Sequence, residues 1–458
     1  MTIASEITRI GVNIQNAYSA CNNKGATMPV AQNSANLATC IDSIQTCTPV
    51  QKPYNAKVID YDGTILKEEW LDEGDTFTMP TVPTHSGLVF QEWSGTFQLT
   101  NNSITMPAGD VIYGAIYTTS SGLSEFDISL TDSSSLEVTL NMDGTKNWGD
   151  GTSDTATSHT YASTGNYTIT CNGTVTQNSA LGTNYCYKAI RLTGVASIST
   201  AFCGSQPLDY ITLSTDVTSL STAFCASSAI KTIILPSSLT TVTSSTFYQI
   251  PKLVNMVLPY SLSINNSTMT SSFSSLKNFV IPNSSTNIPL SSSNFNSLER
   301  VSYYGSYGVA PTAIFLRKIH SPSATYINAE GCTLLELNSI PSGVTSLGSS
   351  AFNNCRGIKI TEIPDTITSI GQTAFAYTGI ESIKVSKNVS TIPASCFNGC
   401  YLCTEYDFSE FTSVPTLSNT NAFGNINSYA VIKVPSSLES SWKTATNWST
   451  YADYIVGV

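Results

Sequence analysis

Charge is what this sequence has least of. Asp, Glu, Lys and Arg together make up 11% of its 458 residues, less than half of what a globular chain usually carries, and Ser, Thr and Asn fill the surface they vacate. The balance is acidic, with a net charge of −11. No Lys/Arg cluster offsets it, so neither nucleic acid nor an anionic lipid surface is expected as a partner. Histidine is scarce: His85, His159 and His320 are the full set, and none stands in a nucleophile or metal spacing. A Gly-rich phosphate loop and a Gly-x-Ser-x-Gly elbow are both missing. The sequence therefore assigns no catalytic residue, no cofactor and no metal ligand, and it predicts a chain that is not an enzyme. No window approaches about 18 apolar residues, which excludes a membrane-spanning helix. Met1-Thr-Ile-Ala-Ser-Glu lacks the basic and apolar regions of a secretory signal, so synthesis in the cytoplasm without Sec export is expected.

Cysteine is present but diluted. Twelve residues spread over the whole length do not make the disulfide framework of a small secreted domain. Cys203, Cys225, Cys355 and Cys400 follow phenylalanines at offsets of one or three, a placement that suits small buried hydrophobes. Cys396, Cys400 and Cys403 have close spacing but no fourth ligand nearby.

What the sequence does have is a repeat. Val344-Thr-Ser-Leu-Gly-Ser-Ser-Ala-Phe352-Asn-Asn-Cys355 begins again at Ile367-Thr-Ser-Ile-Gly-Gln-Thr-Ala-Phe375. The marker Phe returns at Phe202, Phe224, Phe247, Phe273, Phe295, Phe352, Phe375, Phe397 and Phe423, mostly at steps of 22, 23 or 26. An aliphatic-Pro pair keeps the same step at Leu235-Pro236, Leu258-Pro259, Ile281-Pro282, Ile340-Pro341 and Ile363-Pro364. A unit this short cannot bury its apolar face alone, so successive copies must stack around a shared core. The pattern resembles the BspA-like leucine-rich repeat known from bacterial surface proteins and from virion proteins of their phages. Between Phe295 and Phe352 the interval is 57, which predicts irregular coils or a local bulge. Tyr303, Tyr304 and Tyr307 in that stretch lie beside glycines and are candidate glycan contacts, since exposed aromatic rings stack on sugars.

Upstream of the repeat the chain changes character three times. Ile3, Ile7, Ile10, Ile14, Ala17 and Cys21 alternate steps of four and three, the seam of a helix with one apolar stripe. Leu37, Ile41 and Ile44 restart it. The two helices form either a hairpin packed on itself or an oligomeric seam at Ile3, Ile7, Ile10 and Ile14. Isoleucine at both core positions favours a trimer over a dimer. Lys24-Gly-Ala-Thr-Met-Pro-Val and Leu37-Ala-Thr-Cys-Ile-Asp-Ser-Ile44 resemble the N-terminal modules of tailed-phage virion proteins. Strand-like runs follow at 57–61, 76–79, 88–93 and 111–117, separated by Asp62-Gly63, Glu73-Gly74 and Ala108-Gly109. Tyr61-Asp62-Gly63, Phe90-x-x-Trp93 and Ile104-Thr-Met-Pro-Ala-Gly-Asp-Val111 look like the internalin-type B repeat, a small β-grasp-like spacer. Asn147-Trp-Gly-Asp-Gly-Thr152 with Ser158-His-Thr-Tyr161 and Gly165-Asn-Tyr167 resembles the polycystic-kidney-disease (PKD) type β-sandwich, here abbreviated or fused. Asp143, Asp150 and Asp154 do not follow a calcium-loop spacing and are expected to stabilise turns.

The fold expected is mainly β and multidomain. It comprises a helical hairpin or coiled coil (1–47), a β-grasp-like domain (48–119), a PKD-like sandwich (120–180), a leucine-rich-repeat solenoid (181–435) and a cap (436–458), with Ser437 capping a short helix and Leu438, Trp442 and Trp448 covering the last coil. The resemblances imply a structural phage virion protein, in a tail fibre, baseplate or head fibre. Its partners would be other virion proteins and a host-surface glycan or protein, reached by a trimer held by the N-terminal helices, with no insertion into a membrane. The small β domains would space the solenoid from its anchor. A bacterial cell-surface adhesin is the alternative, and so is a polysaccharide depolymerase, for which Asp209, Glu299, Glu330 and Glu336 are the isolated acids that pairing would require.

Overall fold

A computed structural model describes residues 52–174 and 309–458 throughout, most of 181–305, and Ile14, Gln15, Ala17, Tyr18, Gln32, Asn33 and Asn36 near the N-terminus. The chain divides into two compact units, Met1–Pro53 and Tyr54–Val458. In the first, Ile14 is half-buried in helical backbone and Tyr18 is buried, its hydroxyl donating to Asn33 O at 2.8 Å. Ile3, Ile7 and Ile10 of the expected seam lie outside the described residues, as does Tyr307.

The second unit opens with six strands: β1 (Tyr54–Ile59), β2 (Ile65–Leu71), β3 (Thr76–Thr78), β4 (Leu88–Gly95), β5 (Ser103–Thr105) and β6 (Val111–Thr119). Four of them make a sheet in the order β2-β1-β6-β4, with β1 and β6 parallel and the outer pairs antiparallel. β6 is buried along nearly its whole length, so both of its faces must be covered. One face meets Ala56, Val58, Phe77, Ile104 and Met106. The other meets the solenoid: Ile59 and Ile116 pack with Ile234 and Val257. At Gly114 an added Cβ would fall 2.6 Å from Ile234 Cγ2, so glycine is what lets the two sheets touch. The expectation of a spacer is corrected here: residues 54–119 lie along the solenoid's flank and do not hold it at a distance.

The stretch expected to be an abbreviated or fused sandwich is joined to the solenoid. The strand Ser124–Leu130 pairs antiparallel with Gly165–Cys171 on one side and with Tyr187–Leu192, the first solenoid strand, on the other. Tyr187–Leu192 then pairs parallel with Tyr210–Leu213, so one six-stranded sheet crosses the boundary. The Trp148-Gly-Asp-Gly turn sits at its end. Trp148 is buried, Gly149 has φ +82° and no room for a Cβ against Thr168 O, and Asp150 and Asp154 accept bonds from Thr152 N at 3.0 Å and Trp148 Nε1 at 3.0 Å. These carboxylates hold the turn, as their spacing implies.

From there many of the coils contribute a short strand that pairs in parallel with the next. Thr232–Ile234 pairs with Asn255–Val257, Asn278–Ile281 with Arg300–Tyr303, and Ser382–Lys384 with Glu405–Asp407 and Val431–Val434. A shorter second row includes Ser197–Ile198, Ser219–Leu220 and Thr241–Val242. Inside runs a single core from Phe126 to Ile455. The marker phenylalanines stack along it, Phe352 on Phe375 at 5.4 Å, Phe375 on Phe397 at 5.5 Å and Phe397 on Phe423 at 5.4 Å between ring centres. Each fully buried ring stabilises the stack by about 2 kcal/mol. The long interval before Phe352 holds shortened coils and no bulge among the described residues. Arg300 and Lys318 stand in register 18 residues apart (318 − 300), and Ala329, whose N–H donates to Ala351 O at 2.6 Å, takes the place of a marker Phe.

The far end is closed by Ser436–Leu438, the helix Glu439–Thr444, and a last strand, Ile455–Gly457, added to Val431–Val434. Trp442 and Trp448 are buried, packed edge to face at 4.5 Å, with Trp448 Nε1 donating to Pro415 O at 2.8 Å. Leu438 is half-buried against them. Ser437 does not cap the helix: Leu438 is the N-cap and no side chain bonds there. The rings supply the closure that a cap alone could not. Among the described residues, no helix is long and apolar enough to cross a membrane.

Candidate functional site

The side chains singled out by sequence fall into three settings. Tyr303 is 0% exposed and points into the core, because it alternates with Ser302 on its strand. A residue in that position offers no face to a sugar, so this candidate contact is corrected. Tyr304 is half-buried against the β1–β6 sheet: its ring meets Phe97 at 4.8 Å and its hydroxyl donates to Asp110 O at 2.8 Å. Its phenol is pushed well above the ordinary range, chiefly by burial. Tyr304 is thus part of the clasp between sheet and solenoid.

That clasp is polar at its centre. Asp110 receives Arg300 through two bonds, Nε at 2.9 Å and a terminal nitrogen at 2.7 Å, and its other neighbours are Asn55 N at 2.8 Å and, through its own N–H, Ser302 Oγ at 2.8 Å. Trp70 lies under the guanidinium at 4.9 Å. His320 sits 3.4 Å from Arg300 and is lowered to about 4, first by burial. Further along, Glu92 accepts from Ser237 N at 2.7 Å, and Ser94 Oγ donates to Leu235 O at 2.6 Å. Beside the clasp is a cleft of about 220 Å³ lined by Asn55, Lys57, Asp110, Asn255, Lys277 and Asn278. Sites for drug-sized ligands start at roughly 300 Å³, so this one is small.

The histidine–carboxylate pairs do not form relays. His159 contacts Asp150 at 2.8 Å and Thr152 Oγ1 at 3.4 Å, but both through Nε2. A Ser-His-Asp type relay needs the two ring nitrogens to bond different partners. His85 is held by Asp60 at 2.7 Å and edge-on to Tyr61 at 5.0 Å. Among the isolated acids, Glu299 pairs with Lys277 at 2.9 Å, Glu336 with Lys318 at 2.6 Å, and Glu330 accepts from Asn353 at 3.3 Å. The cysteines of the 396–403 cluster are fully buried, and burial pushes the thiols up, Cys400 to about 11 and Cys403 to about 12. They pack as hydrophobes. Among the described residues no group of three His, Cys, Asp or Glu side chains converges as a metal site.

The feature the sequence reading missed is a ridge. In coil after coil, two buried residues bracket a tight turn whose two middle residues face solvent: Leu316 N bonds Ala313 O at 3.0 Å, Leu335 N bonds Cys332 O at 3.1 Å, and Cys403 N bonds Cys400 O at 3.1 Å. Early coils place Pro251-Lys252, Ser274-Ser275 and Asn296-Ser297 at the tips. Later coils place Ile314-Phe315, Leu334, Tyr401-Leu402 and Tyr429, with exposures of 58% at Tyr401 and 85% at Tyr429. Large apolar side chains at the turn tips of several coils make a surface of the kind that marks an interaction site. The signal was legible in Cys400-Tyr-Leu-Cys403: when both ends of a four-residue turn face the core, its apolar middle must face out.

The coil repeat itself matches a known family. Residues 193–317 and 328–449 match the family described as BspA type leucine rich repeat region, in six copies. No curated protein matches the chain. Among solved structures, a leucine-rich repeat protein from Bacteroides ovatus is 17% identical, with 66% of this chain and 90% of that chain covered and a TM-score of 0.37. A leucine rich cell surface protein from Faecalibacterium prausnitzii is 17% identical (58% and 85% covered, TM-score 0.28), and the pneumococcal vaccine antigen PcpA is 14% identical (58% and 78%, 0.32). With the matched segments spanning more than half of its length, the chain belongs to the BspA-type leucine-rich repeat family.

Proposed function

We propose that this chain is a non-enzymatic recognition protein that attaches its carrier to a host surface through the solenoid. The observation that carries the reading is the ridge of exposed apolar turns on a rigid, continuously packed scaffold. Rigid presentation lowers the entropy lost on binding, and several copies on one carrier would multiply weak contacts by avidity. The carrier we favour is a tailed-phage particle, with the chain in a tail fibre, baseplate or head fibre. The support is the likeness of residues 1–47 to phage virion modules, together with the PKD-like and B-repeat-like motifs. In that setting the first helix would trimerise the chain through Ile3, Ile7, Ile10 and Ile14, and the ligand would be a surface glycan or protein. A cell-surface adhesin is supported about equally by the family assignment.

Immunogold electron microscopy with antibody to the solenoid separates these settings: label on purified phage particles supports the first, and label on bacterial envelopes the second. For attachment itself, fluorescent full-length chain is incubated with a panel of intact bacterial cells. A Tyr401→Ser/Tyr429→Ser double variant is expected to lose at least tenfold in binding, since exposed aromatic anchors typically contribute about 2 kcal/mol at an interface. Wild-type chain that binds no cell would remove the attachment reading.

A further inference from the structure

The ridge has an interruption. Between Leu334 and Tyr401-Leu402 the turn positions hold Gly357 and Gly379, and both press backbone against backbone: an added Cβ would fall 2.7 Å from Leu335 O at Gly357 and 1.9 Å from Arg356 O at Gly379. No side chain can stand there without moving a coil. The result is a notch, and the one long side chain at it is Arg356, which is exposed. No ion pair to Arg356 occurs among the described residues, although Lys359 beside it is matched by Glu381 at 2.6 Å. Tyr377 stands at the rim, held at φ +57° with its ring laid over Gly399, where a Cβ would lie 2.4 Å away, and 6.5 Å from the Tyr401 ring.

Apolar groups on both sides of a lone exposed guanidinium make the composition that protein interfaces concentrate at their centre, where Tyr, Phe and Arg are enriched and Lys and Glu depleted. Charge points the same way. In a chain of net charge −11, an unmatched arginine between apolar tips complements an acid side chain brought by the partner. We propose, building on the attachment reading, that the ridge docks a protein, and that the Gly357/Gly379 notch receives a carboxylate of that partner between two apolar contacts. Strand spacing in a parallel sheet is roughly 4.8 Å, so the three coil steps from Leu334 to Leu402 span roughly 14 Å, the length of about four extended residues. A matching segment therefore carries apolar residues at i and i+4 and Asp or Glu at i+2. A sugar polymer would use the tyrosines but has no need of Leu334, Phe315 or a single paired charge.

The test uses the full-length chain on an array of random 12-residue peptides, with neutral polysaccharides (mannan, galactan, α- and β-glucans) spotted alongside. Wild-type chain is expected to enrich peptides with the apolar-x-acid-x-apolar spacing. Arg356→Glu, at an exposed position where folding is checked by an unchanged melting curve, is expected to bind these peptides at least tenfold more weakly and to select Lys or Arg at i+2. Tyr429→Ser should weaken them several-fold, and Lys384→Ala, on the outward face of the parallel sheet and paired with Glu410, should change nothing. Enrichment that ignores the charge at residue 356, or Tyr401-dependent binding to a polysaccharide with no peptide selected, overturns the proposal. The cell-binding assay run on the same variants keeps the two readings apart. Attachment lost in the tyrosine variants without peptide selection leaves attachment standing and protein docking fallen, whereas charge-dependent peptide selection by a chain that binds no cell does the reverse.

Discussion

The parallel sheet of the solenoid has one outward face and two chemistries. Where residues 54–119 cover it, the outward positions are Thr232, Ile234, Asn255, Val257, Ser302 and Tyr304, and the strands read buried at nearly every residue, as at Thr232–Ile234 and Arg300–Tyr303. Where it is bare, the same positions are Ser382, Lys384, Glu405, Asp407 and Lys433, and burial alternates. The inward residues do not differ in kind between the halves: Ile233 and Val301 do in one what Ile383 and Ile432 do in the other. Coil stacking thus depends on one set of residues and domain docking on another, interleaved at every second position along the same strands.

Exchanging the two chemistries tests this separation. Ile234→Lys moves the bare half's charge into the covered half, where it would stand unpaired against Ile59 and Ile116. A loss on the order of 3–5 kcal/mol is expected, read as release of the β1–β6 sheet to limited proteolysis while the C-terminal coils stay protected. An unchanged digestion pattern would mean the docking is not apolar at its root. The pH dependence is expected to be smaller. His320 titrates near 6.5 when free and at about 4 in place, so between those values the unfolded chain holds the extra proton. Stability is full above pH 6.5 and falls as pH drops towards 4, by at most roughly 3 kcal/mol, because the unfolded chain takes up a proton that burial, and to a lesser degree Arg300, keeps off the folded imidazole. Amide exchange in β1 and β6 should quicken over that window, more than in Val431–Val434, and His320→Gln should abolish the difference. The smallest effect is the reverse exchange. Lys384→Ile removes contacts to Glu410 at 2.7 Å and Glu362 at 3.7 Å, but exposed pairs contribute little. The melting temperature should not move measurably, and a large fall would show that the ion pairs of the bare half hold its coils together.

Much of this architecture is legible in the order of residues. The Phe steps give the coil length and the shared core, because a period of that length has few other ways to bury its apolar side. The substitution of Ala329 for a marker Phe hides the shortened coils, since the marker vanishes just where the period changes. Docking of residues 54–119 is harder to see, yet Thr232-Ile-Ile and Asn278-Phe-Val-Ile are apolar on both faces, which a half-solvated sheet does not need. Tyr303 misled because aromatic residues beside glycine suit a surface site and a strand end equally well, and strand parity decides between them. The ridge leaves little trace in the pattern, because the repeat keeps its core residues and leaves the turn tips free.

The sheet at residues 54–119 touches strands from Tyr187–Leu192 to Lys318–His320, and a repeat array is otherwise held only by nearest neighbours. It therefore acts as a splint. Coils beneath it share a lateral tie and must come apart together, while those beyond it can peel away singly. Under a pull along the axis, the chain would yield first in the stretch that carries Tyr401 and Tyr429, and extension there would slacken the load before the splinted block gave way.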